Sequence, residues 1–208
     1  MKKFFNDLYF SFFYSIKTKK TLYIIFLLSV IIGLVIGIIL SFSYDDIDFV
    51  LDLSNKNYKD FLNGTAELST IFVNNFKWVV VANLISILLS ISFITYFLGL
   101  CYIGYQSAIL VMTIASIISN FRFAGIINSL LFILPFNLII ILCLGFLLTL
   151  FSSFFSDNRK SKLKMFSICN DKYIYFKAIV IILFEILICL FLSFIVPLTL
   201  KSFIIVSF

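Results

Sequence analysis

The chain has 208 residues, 62% of them hydrophobic, with a mean hydropathy of +1.17 and only 12% charged residues, against roughly 25% charged in an ordinary soluble domain. Sixteen Lys and Arg face ten Asp and Glu, a net charge of +6, and several apolar runs reach the ~20 residues that cross a bilayer. These features exclude a water-soluble globule and point to no nucleic-acid partner. They give an all-α fold: a polytopic helical membrane protein with about five transmembrane helices, in a single membrane domain over 1–208.

Residues 1–20 form a basic cytoplasmic segment. Within KFFNDLYFSFFYSI (3–16), Phe5, Leu8, Tyr9, Phe12, Phe13 and Ile16 recur at spacings of three and four, which predicts an amphipathic helix in the membrane interface. The apolar run that follows is too long for the core of a signal peptide and has no small-residue cleavage site, so it is expected to stay as a span. This first span, 21–43, carries Ser29, Gly33, Gly37 and Ser41, one small residue every four positions. Such a ladder lets helix backbones approach closely where lipid supplies no hydrophobic driving force, and packing within the bundle is expected there.

Residues 44–77 are expected to be an extracytoplasmic loop with two short helices. Tyr58, Phe61 and Leu62 mark the first, Leu68, Ile71 and Phe72 the second, with Asn63-Gly64 as a break and Thr65 as an N-cap. Asn63-Gly64-Thr65 also fits a glycosylation sequon, but nothing else suggests a eukaryotic secretory protein, and a turn is the reading adopted. The acidic stretch DDID (45–48) lacks the glycine and bidentate glutamate of a calcium loop.

The remaining spans are predicted at 78–98, 101–119, 126–150 and 178–200. Tight connections are expected around Gly99 to Gly104 and around Asn120 to Gly125, and a basic loop at 151–177. The second span repeats the small-residue device with Ala82, Ser86 and Ser90. Orientation follows from lysine and arginine. Lys2, Lys3, Lys17, Lys19 and Lys20 lie in the N-terminal segment, and six basic residues lie in 151–177, among them Lys172 and Lys177. Loop 44–75 has only Lys56 and Lys59 against six acids. The expected topology is therefore N-in and C-out in a bacterial-type cytoplasmic membrane. Arg159, Lys160, Lys162 and Lys164 should also meet anionic lipid headgroups.

Glu185 is the only acidic residue inside a predicted span. An ionised carboxylate at mid-membrane costs about 2.5–3.5 kcal/mol on insertion scales, so it should face the bundle interior. Counting depth at ~1.5 Å per residue sets Gln106 and Ser107 of the third span, and Ser90 and Ser92 of the second, at its level. A polar layer of Glu185, Gln106 and one of those serines is expected, either as a structural hydrogen bond or as a proton or ion relay. Asn137 lies deeper, level with Asn83 and Ser86. Two residues before it, Pro135 deprives the Leu131 carbonyl of its partner, so the helix must bend or open. Asn137 is expected to bond a freed carbonyl or Asn83. The break is then a hinge in a packed core or part of a substrate path.

Little in the chain suggests catalysis. It has no histidine, the commonest general base and metal ligand. Cys101, Cys143, Cys169 and Cys189 lack any paired spacing and read as reduced thiols. A GxxxxGK[ST] phosphate loop is missing too. No cofactor and no metal are expected.

In order along the chain, a basic N-terminus leads into one span and then a helical outer loop. FVNNFKWVVVANLIS (72–86), FLGLCYIGY (97–105) and LPFNL (134–138) follow. This layout resembles the stage II sporulation protein M family, and LPFNL is similar to its leucine-proline-x-asparagine-leucine motif. Relative to the family pattern, the third helix keeps only Gly99 and Gly104, Leu142 stands where a second proline can fall, and Ile140 and Ile141 occupy a region that is acidic in some relatives. The resemblance implies a non-enzymatic polytopic scaffold. It would sit in a complex with stage II sporulation proteins D and P that remodels septal peptidoglycan during engulfment, the hydrolytic activity lying in the partners. Recruitment or positioning of cell-envelope-remodelling proteins, peptidoglycan hydrolases among them, is the function expected, with 44–77 as the contact. The alternative is a small transporter or permease subunit with a polar path through Glu185, Gln106, Asn83 and Asn137.

Overall fold

The computed structural model describes residues 19–43, 58, 60–161 and 174–206. Their regular structure is helical: α1 (Lys20–Ser43), α2 (Leu68–Leu89), α3 (Phe93–Asn128), a π-helical segment (Ser129–Ile133), α4 (Leu134–Ser161) and α5 (Ile174–Val206). Four stretches, Lys20–Phe42, Leu68–Leu89, Ile94–Phe155 and Ile174–Ser202, are long and apolar enough to cross a membrane. The expected interfacial helix 3–16, most of the 44–59 stretch, and Lys162 and Lys164 lie outside the described residues.

The third stretch is 62 residues long, and it folds back on itself. At Arg122 the backbone takes φ 47, ψ −121, the first corner of a type II′ turn, where glycine is preferred. Three residues on, a Cβ added to Gly125 would lie 2.4 Å from the Ile117 carbonyl oxygen. A straight helix would hold residues eight apart ~12 Å from one another. The reversal falls inside the connection expected around Asn120 to Gly125.

Partner residues give the helix directions. Ser29 meets Leu100, Gly33 meets Gly104 and Gly37 meets Ala108, a constant offset that makes α1 and α3 parallel. Gly99 faces Leu148, so α3 and α4 are antiparallel. Phe136 lies 4.8 Å from Phe191, ring to ring, and Phe151 lies 6.4 Å from Tyr175, so α4 and α5 are antiparallel as well.

The second and third helices begin earlier than their apolar runs suggest. α2 occupies 68–89 rather than 78–98, and α3 starts at Phe93 rather than 101. The turn between them is Ser90-Ile91-Ser92, held by side chains that hydropathy does not register. Ser90 Oγ donates to the Ile87 carbonyl at the end of α2. Ser92 opens α3 with a reciprocal capping box: its hydroxyl accepts from the Thr95 N–H at 3.1 Å, and Thr95 Oγ1 accepts from the Ser92 N–H at 2.9 Å. Gly99 and Gly104, expected in a connection, are interior helix positions that let neighbours approach. The loop expected over 44–77 accordingly ends by Glu67. That expected over 151–177 shrinks at both ends, since α4 runs to Ser161 and α5 begins at Ile174.

Asn63-Gly64 does form a turn, with Gly64 at φ +74, but Thr65 is not an N-cap. Its hydroxyl donates to the Asp60 carbonyl at 2.9 Å, and Glu67 takes the N-cap position of α2 without a side-chain cap bond. Before this turn, Tyr58 packs against the core, and the Lys201 ammonium lies 5.7 Å from the centre of the Phe61 ring. Burial, then the neighbouring Cys189 thiol, pushes the Tyr58 phenol up to about 12.

Phe26, Val30, Tyr96, Ile103, Ile117, Leu144, Leu148, Leu192 and Val196 are among the residues that build the core. The outside is equally apolar: Ile32, Leu84, Leu130 and Leu187 are each more than half exposed. Lipid suits such a surface, and close approach rather than expulsion of water then holds the helices together. Gly145 shows the device. A Cβ there would fall 1.8 Å from Phe26 Cε2, so the ring of α1 lies directly on the α4 backbone.

Candidate functional site

Three polar side-chain pairs that meet across the bundle involve α5. Asn75 Nδ2 on α2 donates to Ser193 Oγ on α5 at 2.9 Å. Asn83 Nδ2 donates to Glu185 Oε2. Eight residues forward on α2 correspond to eight residues back on α5, so the two helices are antiparallel and their bonds keep one register. Nearer the start of α4, Thr199 Oγ1 of α5 donates to Asn128 Oδ1, while Asn128 Nδ2 donates to the Ala124 carbonyl at 3.1 Å. Asn128 and Glu185 are both 0% exposed.

The Asn83–Glu185 pair is the most polar point of the interior. Asn83 is fixed by a second bond from Nδ2 to the Val79 carbonyl at 2.9 Å, so both amide hydrogens are engaged. Its Oδ1 has no hydrogen-bond partner, nor does Glu185 Oε1 or Ser86 Oγ. Ser86 lies one turn beyond Asn83 on the same buried face of α2. Cys143 of α4 is within electrostatic reach of Glu185. Below it, Leu147, Phe151, Ala178 and Ile181 close an apolar cluster.

This site differs from the expected polar layer. Gln106 is half-buried on α3 and is not bonded to Glu185, whose Oε1 is unpartnered and whose Oε2 takes Asn83. Ser90 is buried but caps its own helix through Ile87. Asn137 bonds neither Asn83 nor the Leu131 carbonyl. Its Nδ2 donates to the Ile133 carbonyl at 2.9 Å, within its own helical run. The break around Pro135 takes the form of the π segment, where the Leu134 N–H reaches back to Ser129 O, five residues away. That wider turn leaves room for the proline ring. In the small-residue ladder, Ser29, Gly33 and Gly37 lie against α3, whereas Ser41 donates to its own Ile38 carbonyl.

Asn75, Asn128, Ser193 and Thr199 are contacts that the sequence reading missed. The signal for two of them was present: Asn75 and Asn83, like Glu185 and Ser193, are eight residues apart, a spacing that keeps both positions within one stripe about 100° wide on a helix. No family model, curated protein or solved structure matches the chain. Among the described residues no three His, Cys, Asp or Glu side chains gather in one place. The site offers oxygen acceptors around one buried carboxyl group.

Proposed function

We propose that the chain is an integral membrane protein with five crossings, N-in and C-out, that serves as a scaffold for cell-envelope-remodelling partners. The resemblance to the stage II sporulation protein M family motivates the role. One observation supports it best: the buried polar bonds Asn75–Ser193, Asn83–Glu185 and Asn128–Thr199 fasten α5 to its neighbours along its length. Polar groups used as fasteners suit a rigid platform. A continuous path through Glu185, Gln106, Asn83 and Asn137 would need all four residues to share a surface. The reversal at Arg122 and the alternating helix directions support the five-crossing topology, with the basic ends on the cytoplasmic side.

Partner contact is assigned to the extracytoplasmic stretch 44–67, and the chain itself carries no catalysis. Crosslinking and affinity purification from the native membrane test this role. Co-purification of envelope hydrolases, lost when 44–67 is replaced by a Gly-Ser linker and kept in Asn137→Ala, is the expected result. Retention of the same partners without that stretch would overturn the assignment. A reporter fused after Phe208 should be active outside the cytoplasm, and cytoplasmic activity would refute the topology.

A further inference from the structure

We propose that the α3 face carrying Tyr102, Gln106, Ile109 and Thr113 is the contact surface of a two-fold dimer in the membrane, with Gln106 paired to Gln106 of a second copy. The inference is independent of the scaffold role and starts from the chain's single glutamine. Gln106 stands midway along α3, ~20 Å of helix from Phe93 and ~24 Å before the reversal at Arg122. At that depth a glutamine side chain reaches neither aqueous boundary. Asn75, Asn83, Asn120, Asn128 and Asn137 each donate to a carbonyl or hydroxyl within the molecule. Gln106 makes no such bond among the described residues and is only half-buried. The Tyr102 hydroxyl, one turn earlier, lies close to it, but its buried oxygen has no hydrogen-bond partner. That hydroxyl can take up one of the two amide hydrogens of Gln106. The other still lacks an acceptor, and lipid chains supply none.

A second copy fits this face because the face is its own complement. A carboxamide carries donor and acceptor side by side, so two of them related by a two-fold axis exchange a pair of N–H···O bonds. An axis along the membrane normal preserves depth and brings Gln106 of both copies to one level. Tyr102, Gln106, Ile109 and Thr113 follow at spacings of four, three and four, the seam of a left-handed helix pair. All four are half-buried rather than closed off by the bundle. The side that meets α1 is a different one: Leu100, Gly104 and Ala108 face that helix, and Gln106 lies ~160° around α3 from Gly104. From Phe93 to Phe121 the sequence has no charged residue, so like-charge repulsion does not oppose two α3 helices side by side. Polar side chains bonded between helices hold such contacts in lipid.

The test uses the full-length protein in phosphatidylcholine vesicles. Copies carrying a donor or an acceptor fluorophore after Phe208 are mixed, and energy transfer between them is followed as added lipid dilutes the protein. The expected result is transfer that fits a monomer–dimer equilibrium, with a dissociation constant about tenfold larger in Gln106→Leu. Leu84→Ala, on the exposed side of α2, should leave the constant unchanged. Transfer no greater than random proximity gives, assemblies larger than two, or equal constants in wild type and Gln106→Leu would overturn the proposal. A second measurement keeps Gln106 in place. Ile109→Cys in an otherwise cysteine-free chain should be oxidised to a crosslinked dimer, whereas Leu187→Cys, on the exposed side of α5, should stay monomeric. Crosslinking at 187 without crosslinking at 109 would put the contact on another face and refute the pairing.

Discussion

Replacing Gly33 by alanine probes the packing of α1 on α3 at its tightest point. The new Cβ would lie 2.1 Å from the Gly104 carbonyl oxygen and 2.8 Å from Gly104 Cα. Both obstacles are backbone, so neither can swing aside, and the helices must separate by about 1 Å. A gap of that size forfeits roughly a quarter to a half of the dispersion well for each facing pair of atoms. Overpacking costs about 1–3 kcal/mol, and two backbone clashes place Gly33→Ala near the upper end. Alanine recovers about 1 kcal/mol of helix propensity over glycine, so the expected net loss is about 2 kcal/mol. Gly104→Ala, on the other side of the same contact, meets only Ser29 O and Oγ at 3.3 Å. A shift of a few tenths of an ångström accommodates it, and its net effect should stay within about 0.5 kcal/mol. Equilibrium unfolding in SDS–detergent mixtures, read by Trp78 fluorescence, measures both. Equal losses at the two glycines would refute the packing, as would a Gly33→Ala loss no larger than that of Ile32→Ala on the outer face of α1.

Arg122→Gly should stabilise the protein by about 1 kcal/mol, because glycine adopts φ 47 without strain; thermal unfolding in detergent checks it, and destabilisation would contradict the turn. Gly145→Ala should lower Tm by expelling the Phe26 ring from the α4 backbone, and Phe26→Leu in the same chain should restore part of the loss. An additive double variant would show that the two do not touch. Tyr58 should titrate near pH 12 in the folded protein and near 10 when unfolded. Between those values the unfolded state has released the proton and the native state has not, so stability falls as pH rises from 10 to 12. Stability curves of wild type and Tyr58→Phe should diverge over that interval, and parallel curves would exclude the shift.

The membrane class and a close-packing face on α1 could be read from composition and from the spacing of Ser29, Gly33 and Gly37; that α3 is the helix packed there could not. The turn at Ser90–Ser92 could not, because hydropathy stays high from Val79 onward and glycine in a membrane helix marks packing as often as it marks an end. That misplacement contributed to the missed partner of Glu185. With α2 assigned to 78–98, a count of seven residues from its expected cytoplasmic end reached the wrong serines, whereas Asn83 lies seven residues before Ser90; the start of α5 shifts too, from 178 to Ile174. The depth count inherited its origin from boundaries that hydropathy does not fix. The Pro135 break was visible in sequence, whereas its resolution upstream as a π turn depended on how Ile133, Leu134 and Asn137 share their carbonyl and amide groups.

The π turn also bears on which changes in chain length the protein can absorb. Such a turn holds one residue more than an α-helical turn over the same arc, so one position within Ser129–Ile133 is surplus to the path of the helix. Removing it together with Pro135→Ala should let the segment close into ordinary α-helix, with Phe136 still against Phe191 and Gly145 still beneath Phe26. Deleting a single residue farther along, at Ile140, has no such slack to draw on. Everything beyond it would rotate by about 100°, turning Gly145 away from α1. The stretch beside the proline is thus the place where the fourth helix can lose a residue without losing its alignment with the rest of the bundle.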